Sequence, residues 1–407
     1  MLSVVTPITV YGAPWCPDCK RAKKFLAEHR IPYQNVNIDS DPEGLAYVER
    51  VQNGGRTIPT IVLPDGSHLF EPGNDELARA LGINLTATRQ AYDLVIVGGG
   101  PTGLAAAIYA AREGIDAIVI DRSGLGGQAG VTERIDNYPG FPEGVGGADL
   151  ADRFIAQAKR YGVELLSAVD VTGIAREDGE LVVKLGTGQQ VAACSVLVAT
   201  GSTYRKLGVP GEDDLIGAGV HFCATCDGPF YKGADELLVV GGGNSALEEG
   251  LFLAQFAKRI RIFERGDALR ASQLVQDKVR NHPQFTVHLN TEVVSMAGSG
   301  GRVTDVVARD RTTGEQTTYH PAGAFIFIGL DPNTGWLHGT LGLDTWGFVA
   351  ANGTFETSMP GVFVAGDVRA GSTKQLGAAV GDGIAALIAI RSYLQRREAA
   401  PLIEVNA

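Results

Sequence analysis

The chain has 407 residues, 44% of them hydrophobic and 20% charged, which is a globular composition long enough for two or three domains. A formal net charge of -11 disfavours nucleic acid or an anionic membrane surface as partner, because both select basic patches. The N-terminal MLSVVTPITVYG has no basic stretch ahead of its apolar residues, and no uninterrupted apolar run reaches about 18 residues, so a cytoplasmic protein is expected.

Residues 4 to 83 read as β-α-β-α-β-β-α, a small α/β unit spanning 1–83. ITVYG is a strand, Cys16 to His29 a helix, and TIVL, after Ile58 and Pro59, a further strand. The segment 84–91 (NLTATRQA) lacks periodicity and reads as a short linker of at most about 28 Å. From Tyr92 the strand DLVIVGG runs into the glycine fingerprint Gly98, Gly100, Gly103, a helix, the strand AIVI and Asp121 at its end. ELLVVGGGNSALEEG repeats the pattern with Gly241, Gly243 and Ala246, a helix, the strand RIRIF and Glu264. In both copies the acid follows the first glycine by 23 residues, from 98 to 121 and from 241 to 264. Glycines let the backbone approach a pyrophosphate, the helix N-terminus supplies unpaired N–H groups, and the acid can bind ribose hydroxyls. Two bound dinucleotides are therefore expected.

The five cysteines include two C-x-x-C pairs, Cys16/Cys19 and Cys223/Cys226, and in a reducing compartment that spacing reads as redox or metal chemistry rather than structural bridging. Zinc is the rival reading. It would need four ligands, and the two pairs fall on separate domains, so no metal is expected. Cys194, in the apolar run VAACSVLVAT, reads as a buried core thiol, and His221, two residues before Cys223, reads as a structural histidine that could tune a thiolate.

From about Tyr92 to Leu394 the sequence resembles the low-molecular-weight thioredoxin reductase family. The residues that carry this are GGGPTGLAAAIYAAREG, GGQ at Gly126 to Gln128, NYPGFP at Asn137 to Pro142, ATGS at Ala199 to Ser202, VPGE, CATCDGPFYKG, GGGNSALEE, and GVFVAGDVR with KQL. The resemblance implies an α/β chain with two Rossmann-like domains, an FAD domain in two pieces (92–210 and 329–398) around a nicotinamide domain (211–328) that carries the redox cysteines. It implies FAD held by Gly98, Gly100, Pro101, Thr102, Gly103 and Asp121, by Gly127, Gln128, Asn137, Thr200 and Gly201, and by Gly366, Asp367, Lys374, Gln375 and Leu376 from the C-terminal segment. The nicotinamide nucleotide would meet Gly241, Gly243, Asn244, Ser245, Ala246, Glu264, Arg265 and Arg270. In the implied mechanism Cys226 accepts electrons from flavin, Asp227 is acid and base, Cys223 attacks the partner, and the enzyme is a homodimer.

One departure bears on the nucleotide. Where NADPH-using members carry His-Arg-Arg, this chain has Glu264-Arg265-Gly266, and a carboxylate there accepts from a ribose 2′-OH but repels a 2′-phosphate. The expectation is NAD(P)H with a lean to NADH, while Arg265 keeps NADPH open.

The front domain resembles glutaredoxins, notably the mycoredoxin and small hydrogen-donor branches, through ITVYGAPWCPDCKRAKKFLAEHRIPY and NGGRTIPTIVLPDGS. That implies a thioredoxin/glutaredoxin-like fold with Cys16 exposed at a helix start as attacking thiolate, Cys19 resolving, and Pro59 in cis. Ala13 stands where glutathione users commonly have lysine, so glutathione is open. The expected function is a flavoprotein disulfide reductase passing electrons through both dithiols to a protein or low-molecular-weight disulfide. The alternatives are an NADH-dependent donor to a peroxiredoxin, similar to the alkyl hydroperoxide reductase flavoprotein, and a redox sensor or scaffold, which would not need two dithiols, two fingerprints and Asp227 together.

Overall fold

The structure, a computed structural model, describes residues 8–29, 31–130, 132, 135, 137–300 and 302–399. The chain divides into two compact units. One gathers the described residues of Met1–Val131, Gly147–Gly201 and Pro332–Ala407, the other those of Thr132–Gly146 and Ser202–Asp331.

The first unit opens with a four-stranded sheet in the order Tyr33–Asn37, Ile8–Gly12, Thr60–Val62, His68–Phe70, with the first pair parallel and the others antiparallel. Its helices start where the sequence supplies a cap and a proline: Cys16 before Pro17–Glu28, and Asp41, which accepts from Gly44 N–H at 2.9 Å, before Pro42–Val51. Ile8, Val10, Phe25, Leu26, Ile61 and Leu77 form its core. The peptide bond between Ile58 and Pro59 is cis.

Residues 84–91 are mostly irregular and are tied down rather than free. Ala87 is buried and its N–H donates to the Gln189 side chain at 3.0 Å, Thr88 donates its N–H and hydroxyl to Glu164 at 2.8 and 2.6 Å, and Arg89 pairs with Asp116. Leu85 packs against both the front core and the next one.

Beyond this segment the first unit holds a sheet whose parallel strands run Glu164–Leu166, Ala117–Ile120, Ala91–Val97, Gln190–Val198 and Val362–Val364. The middle strands are near-continuous apolar runs because helices cover both faces of such a sheet. Val362–Val364 returns from the C-terminal segment to pair with Val196–Val198, so this nucleotide fold is assembled from distant stretches. The second unit holds a five-stranded parallel sheet ordered Val220–His221, Gly323–Ile326, Leu237–Val240, Ile260–Phe263, Phe285–His288, with a three-stranded antiparallel sheet beside it in sequence at Thr291–Tyr319. Both sheets present a strand, a glycine loop and a helix in succession, the arrangement that the repeated fingerprints anticipate.

Candidate active site

In the second unit Cys223 ends an extended segment and caps the single-turn helix Ala224–Asp227. Its sulfur accepts the Cys226 N–H at 3.2 Å, and the two cysteines form a disulfide with Cα atoms 5.3 Å apart. The Asp227 N–H donates to the Cys223 carbonyl at 3.1 Å, fixing the acid beside the pair. The carboxylate is 22% exposed and lies 3.4 Å from Nδ1 of His221, whose Nε2 is 2.6 Å from the Tyr231 hydroxyl. Burial first, then the nearby Asp227 charge, pushes the Tyr231 phenol up to about 12. The Ala224 N–H is held by Glu249, whose carboxyl is raised by burial. Asn137, expected at the flavin, falls in this unit, with Nδ2 3.9 Å from the Cys226 sulfur.

The front dithiol repeats this geometry. Cys16 caps Pro17–Glu28, accepts the Cys19 N–H at 3.0 Å and is paired with Cys19 across a Cα separation of 5.3 Å. The position matches expectation but the exposure does not: Cys16 is 3% exposed, enclosed by Ala13, Cys19 and Ile58, whose carbonyl lies 3.7 Å from its sulfur. Cys194 also departs from expectation, being only half-buried on its strand, with its carbonyl accepting from Arg397. Arg21, in the basic run of the first helix, ties that helix to Pro72 O and Asn74 Oδ1, each at 3.0 Å.

The first glycine loop is shaped by close approach. A Cβ on Gly98 would overlap the Ala199 carbonyl, and one on Gly103 would overlap the Gly98 carbonyl. Gly100 caps the helix Pro101–Arg112 without a side-chain bond, so the first amides of that helix are open to an anion. Asp121 accepts from Gly99 N–H at 2.6 Å and from Ser123 N–H at 2.8 Å, holding the loop and the strand end together. Gly366 and Gly383 pack their backbones on Thr102, which docks the C-terminal segment onto this helix start. There Asp367 is raised by burial. Lys374 is pushed down to about 8, chiefly by burial, while its ammonium donates to Ser372 Oγ at 2.7 Å and lies 3.8 Å over the Phe348 ring. Gly127 lies against Gly100, and Gln128 and Gln375 belong to the same unit.

Several participants carry no sequence signal. Asn333 donates Nδ2–H to Thr200 O at 2.8 Å and its N–H to Gly201 O at 3.0 Å, while Asp382 accepts from Arg369 at 2.8 Å and from Gly366 N–H at 3.3 Å. They are single polar residues far from the fingerprint, and only the fold brings them to it.

At the second loop, Gly243 caps Asn244–Leu253 without a side-chain bond, Asn244 Oδ1 accepts Ser272 N–H at 2.7 Å, and Ala246 is buried. Ser245 is exposed. Glu264 is 3% exposed and accepts Gly266 N–H at 2.8 Å, with Arg270 Nη2 3.5 Å away. Arg265 and Arg270 are both exposed.

The family model described as pyridine nucleotide-disulphide oxidoreductase matches residues 92–383, and the glutaredoxin model matches residues 8–69. The chain is 37% identical over 304 residues to the thioredoxin reductase of Bacillus subtilis, covering 75% of this chain and 95% of that one. The chain belongs to the thioredoxin reductase family. Among solved structures, the thioredoxin reductase from Streptococcus pyogenes is similar with a TM-score of 0.72 and 35% identity, over 76% of this chain and 100% of that one. A bifunctional thioredoxin reductase/thioredoxin from Mycobacterium leprae is 38% identical over 304 residues, 74% of this chain and 66% of its own. This reductase is thus an FAD-dependent NAD(P)H:disulfide oxidoreductase with a glutaredoxin domain fused in front. Its first glycine loop fits FAD on physical grounds: Gly98 and Gly103 have no room for side chains, and the helix start that follows has no side-chain cap.

Proposed function

We propose that Cys223 and Cys226 hand their electrons to Cys16 and Cys19 of the fused glutaredoxin domain, and that Cys16 delivers them to a protein or low-molecular-weight disulfide. FAD, when bound, supplies the two-electron link between a nicotinamide nucleotide and the Cys223–Cys226 pair. The observation that carries this reading is the shared geometry of the two dithiols. In each, the first sulfur caps a helix and accepts the amide N–H of the second cysteine, at 3.2 Å in one and 3.0 Å in the other. A backbone donor at a helix start stabilises a thiolate on that sulfur, so Cys223 and Cys16 are the attacking members and Cys226 and Cys19 the resolving ones.

In each exchange the attacking sulfur bonds to one sulfur of the accepting disulfide, whose S–S bond breaks. The resolving sulfur then bonds to the attacking sulfur and displaces the acceptor's remaining sulfur, so that two electrons and two protons pass to the acceptor. Asp227, held beside Cys223 through its own N–H, takes the thiol proton and returns it to the leaving sulfur.

The buried Glu264 under the second loop supports NADH, since its charge opposes a 2′-phosphate, while the exposed Arg265 and Arg270 oppose that preference less directly from the rim. Ile388, a half-exposed isoleucine on the helix Leu376–Ala399, supports a homodimer. Dithiols that must cycle through the reduced state suit the cytoplasm.

Anaerobic titration with NADH tests the relay. Three two-electron acceptors, the flavin and both disulfides, take up three equivalents in the wild type and two in Cys16→Ser/Cys19→Ser. Equal uptake by the two proteins contradicts it.

A further inference from the structure

His221 is more than a core histidine. It is 7% exposed, ends the strand Val220–His221, and is wedged between two partners that the reaction gives reason to notice: Asp227 Oδ2 at 3.4 Å from Nδ1 and the Tyr231 hydroxyl at 2.6 Å from Nε2. The Phe325 ring lies 5.1 Å from the imidazole and Tyr231 meets it edge-on at 5.4 Å, so the ring has little freedom to turn. The Tyr231 phenol keeps its proton throughout the working range, and when it donates that proton to Nε2 the imidazole proton is left on Nδ1, directed at Asp227.

We infer that His221 is a positioning residue for thiol exchange, holding the Asp227 carboxylate and sharing the proton that Asp227 moves. The inference rests on Asp227 serving as acid and base. An imidazole is the side chain that exchanges a proton near neutral pH, and a carboxylate paired with one can accept a thiol proton without having to hold it alone. As Cys223 Sγ attacks, the thiol proton passes to the Asp227–His221 pair, the Cys223–partner S–S bond forms and the partner's own S–S bond breaks. The departing sulfur takes that proton back. Cys226 then displaces the partner's remaining sulfur, which leaves with the Cys226 proton, so the dithiol is oxidised by two electrons and the partner reduced by two. Tyr231 stays protonated and fixes the tautomer, and does not itself give up a proton.

The charged and titratable groups around the pair come from every neighbouring element. They are Tyr231 on the turn Gly228–Tyr231, Arg302 whose charge reaches Tyr231 from Arg302–Asp310, Glu249 from Asn244–Leu253 through the Ala224 amide, and the two cysteines themselves. Phe325 and Gly323, on Gly323–Ile326, bring no charge.

The experiment uses the flavin-loaded full chain, pre-reduced with dithionite, and follows its oxidation by an excess of a small disulfide, 5,5′-dithiobis(2-nitrobenzoate), across pH in three variants. His221→Gln keeps a hydrogen-bonding side chain that does not titrate, Tyr231→Phe removes only the hydroxyl, and Asp227→Asn removes the acid. Peptide mass analysis of Cys223 alkylation against pH gives a second readout, independent of the flavin. The wild type is expected to show a pH dependence of exchange that belongs to the pair. His221→Gln is expected to lose it and to slow exchange about tenfold, with Tyr231→Phe showing the same change in smaller degree. An unchanged profile in both His221→Gln and Tyr231→Phe, with Asp227→Asn slowed, overturns the role of His221 alone. Unchanged exchange in Asp227→Asn overturns the acid–base reading of Asp227, and this inference with it.

Discussion

The Glu264 carboxylate lies directly against Gly242, so that a Cβ at that glycine would overlap Oε2. The acid and the middle glycine of the second fingerprint are thus one packed unit, with Gly266 N–H bonded to Oε1 at 2.8 Å on the other side. Gly242→Ala must displace the carboxylate or the loop, at a cost of about 1–3 kcal/mol. Flavin content should stay at the wild-type level while nucleotide affinity falls about tenfold, as read by NADH titration of the oxidised protein. Wild-type affinity would mean that Glu264 takes no part in nucleotide binding.

Glu264→Gln keeps an acceptor for Gly266 N–H and removes the charge. The ratio of kcat/KM for NADPH to that for NADH should then rise about tenfold, a change of about 1.4 kcal/mol, in steady-state assays with each nucleotide. A ratio that does not move places the discrimination elsewhere.

Gly103 sits where a Cβ would overlap the Gly98 carbonyl, within the loop proposed to hold the pyrophosphate. Gly103→Ala should yield protein with most of its flavin lost, visible as a reduced flavin-to-protein absorbance ratio. The glutaredoxin domain has its own sheet and core and should retain its oxidised dithiol.

Lys374 supplies a pH signature in the flavin-free protein. Burial holds its folded value at about 8, below the ordinary 10.5, so between those values the unfolded chain binds more protons than the folded one. Stability therefore rises with pH across that window. Thermal melts of apoprotein should show wild type gaining relative to Lys374→Met as pH climbs from about 8 to about 10. A constant difference between the two would contradict the buried setting of the ammonium.

Much of this architecture is readable in the sequence because it is local. DLVIVGG and ELLVVGG announce buried strands entering glycine loops, and the acids at 121 and 264 stand at the end of the next strand in each copy. What the sequence hides depends on distant segments. Nothing near Val362 says that it pairs with Val196, a return known beforehand only through family resemblance. Cys16 reads as exposed because a helix start usually is, yet Ile58, 42 residues away, closes over it. His221 reads as an isolated histidine because its partners, Asp227 and Tyr231, lie across a turn whose path periodicity does not describe.

The central claim, an ordered transfer from Cys223 to Cys16, is tested most directly by trapping it. In the Cys19→Ser/Cys226→Ser double variant no resolving sulfur remains to attack a Cys223–Cys16 mixed disulfide and release either cysteine. Mild oxidation followed by non-reducing peptide mass analysis should recover a disulfide joining the Cys223 peptide to the Cys16 peptide, and the wild type treated alike should not yield it. If Cys16 and Cys223 instead remain as thiols, or pair with Cys194 or with external thiols while never linking to each other, the relay through the fused domain is contradicted.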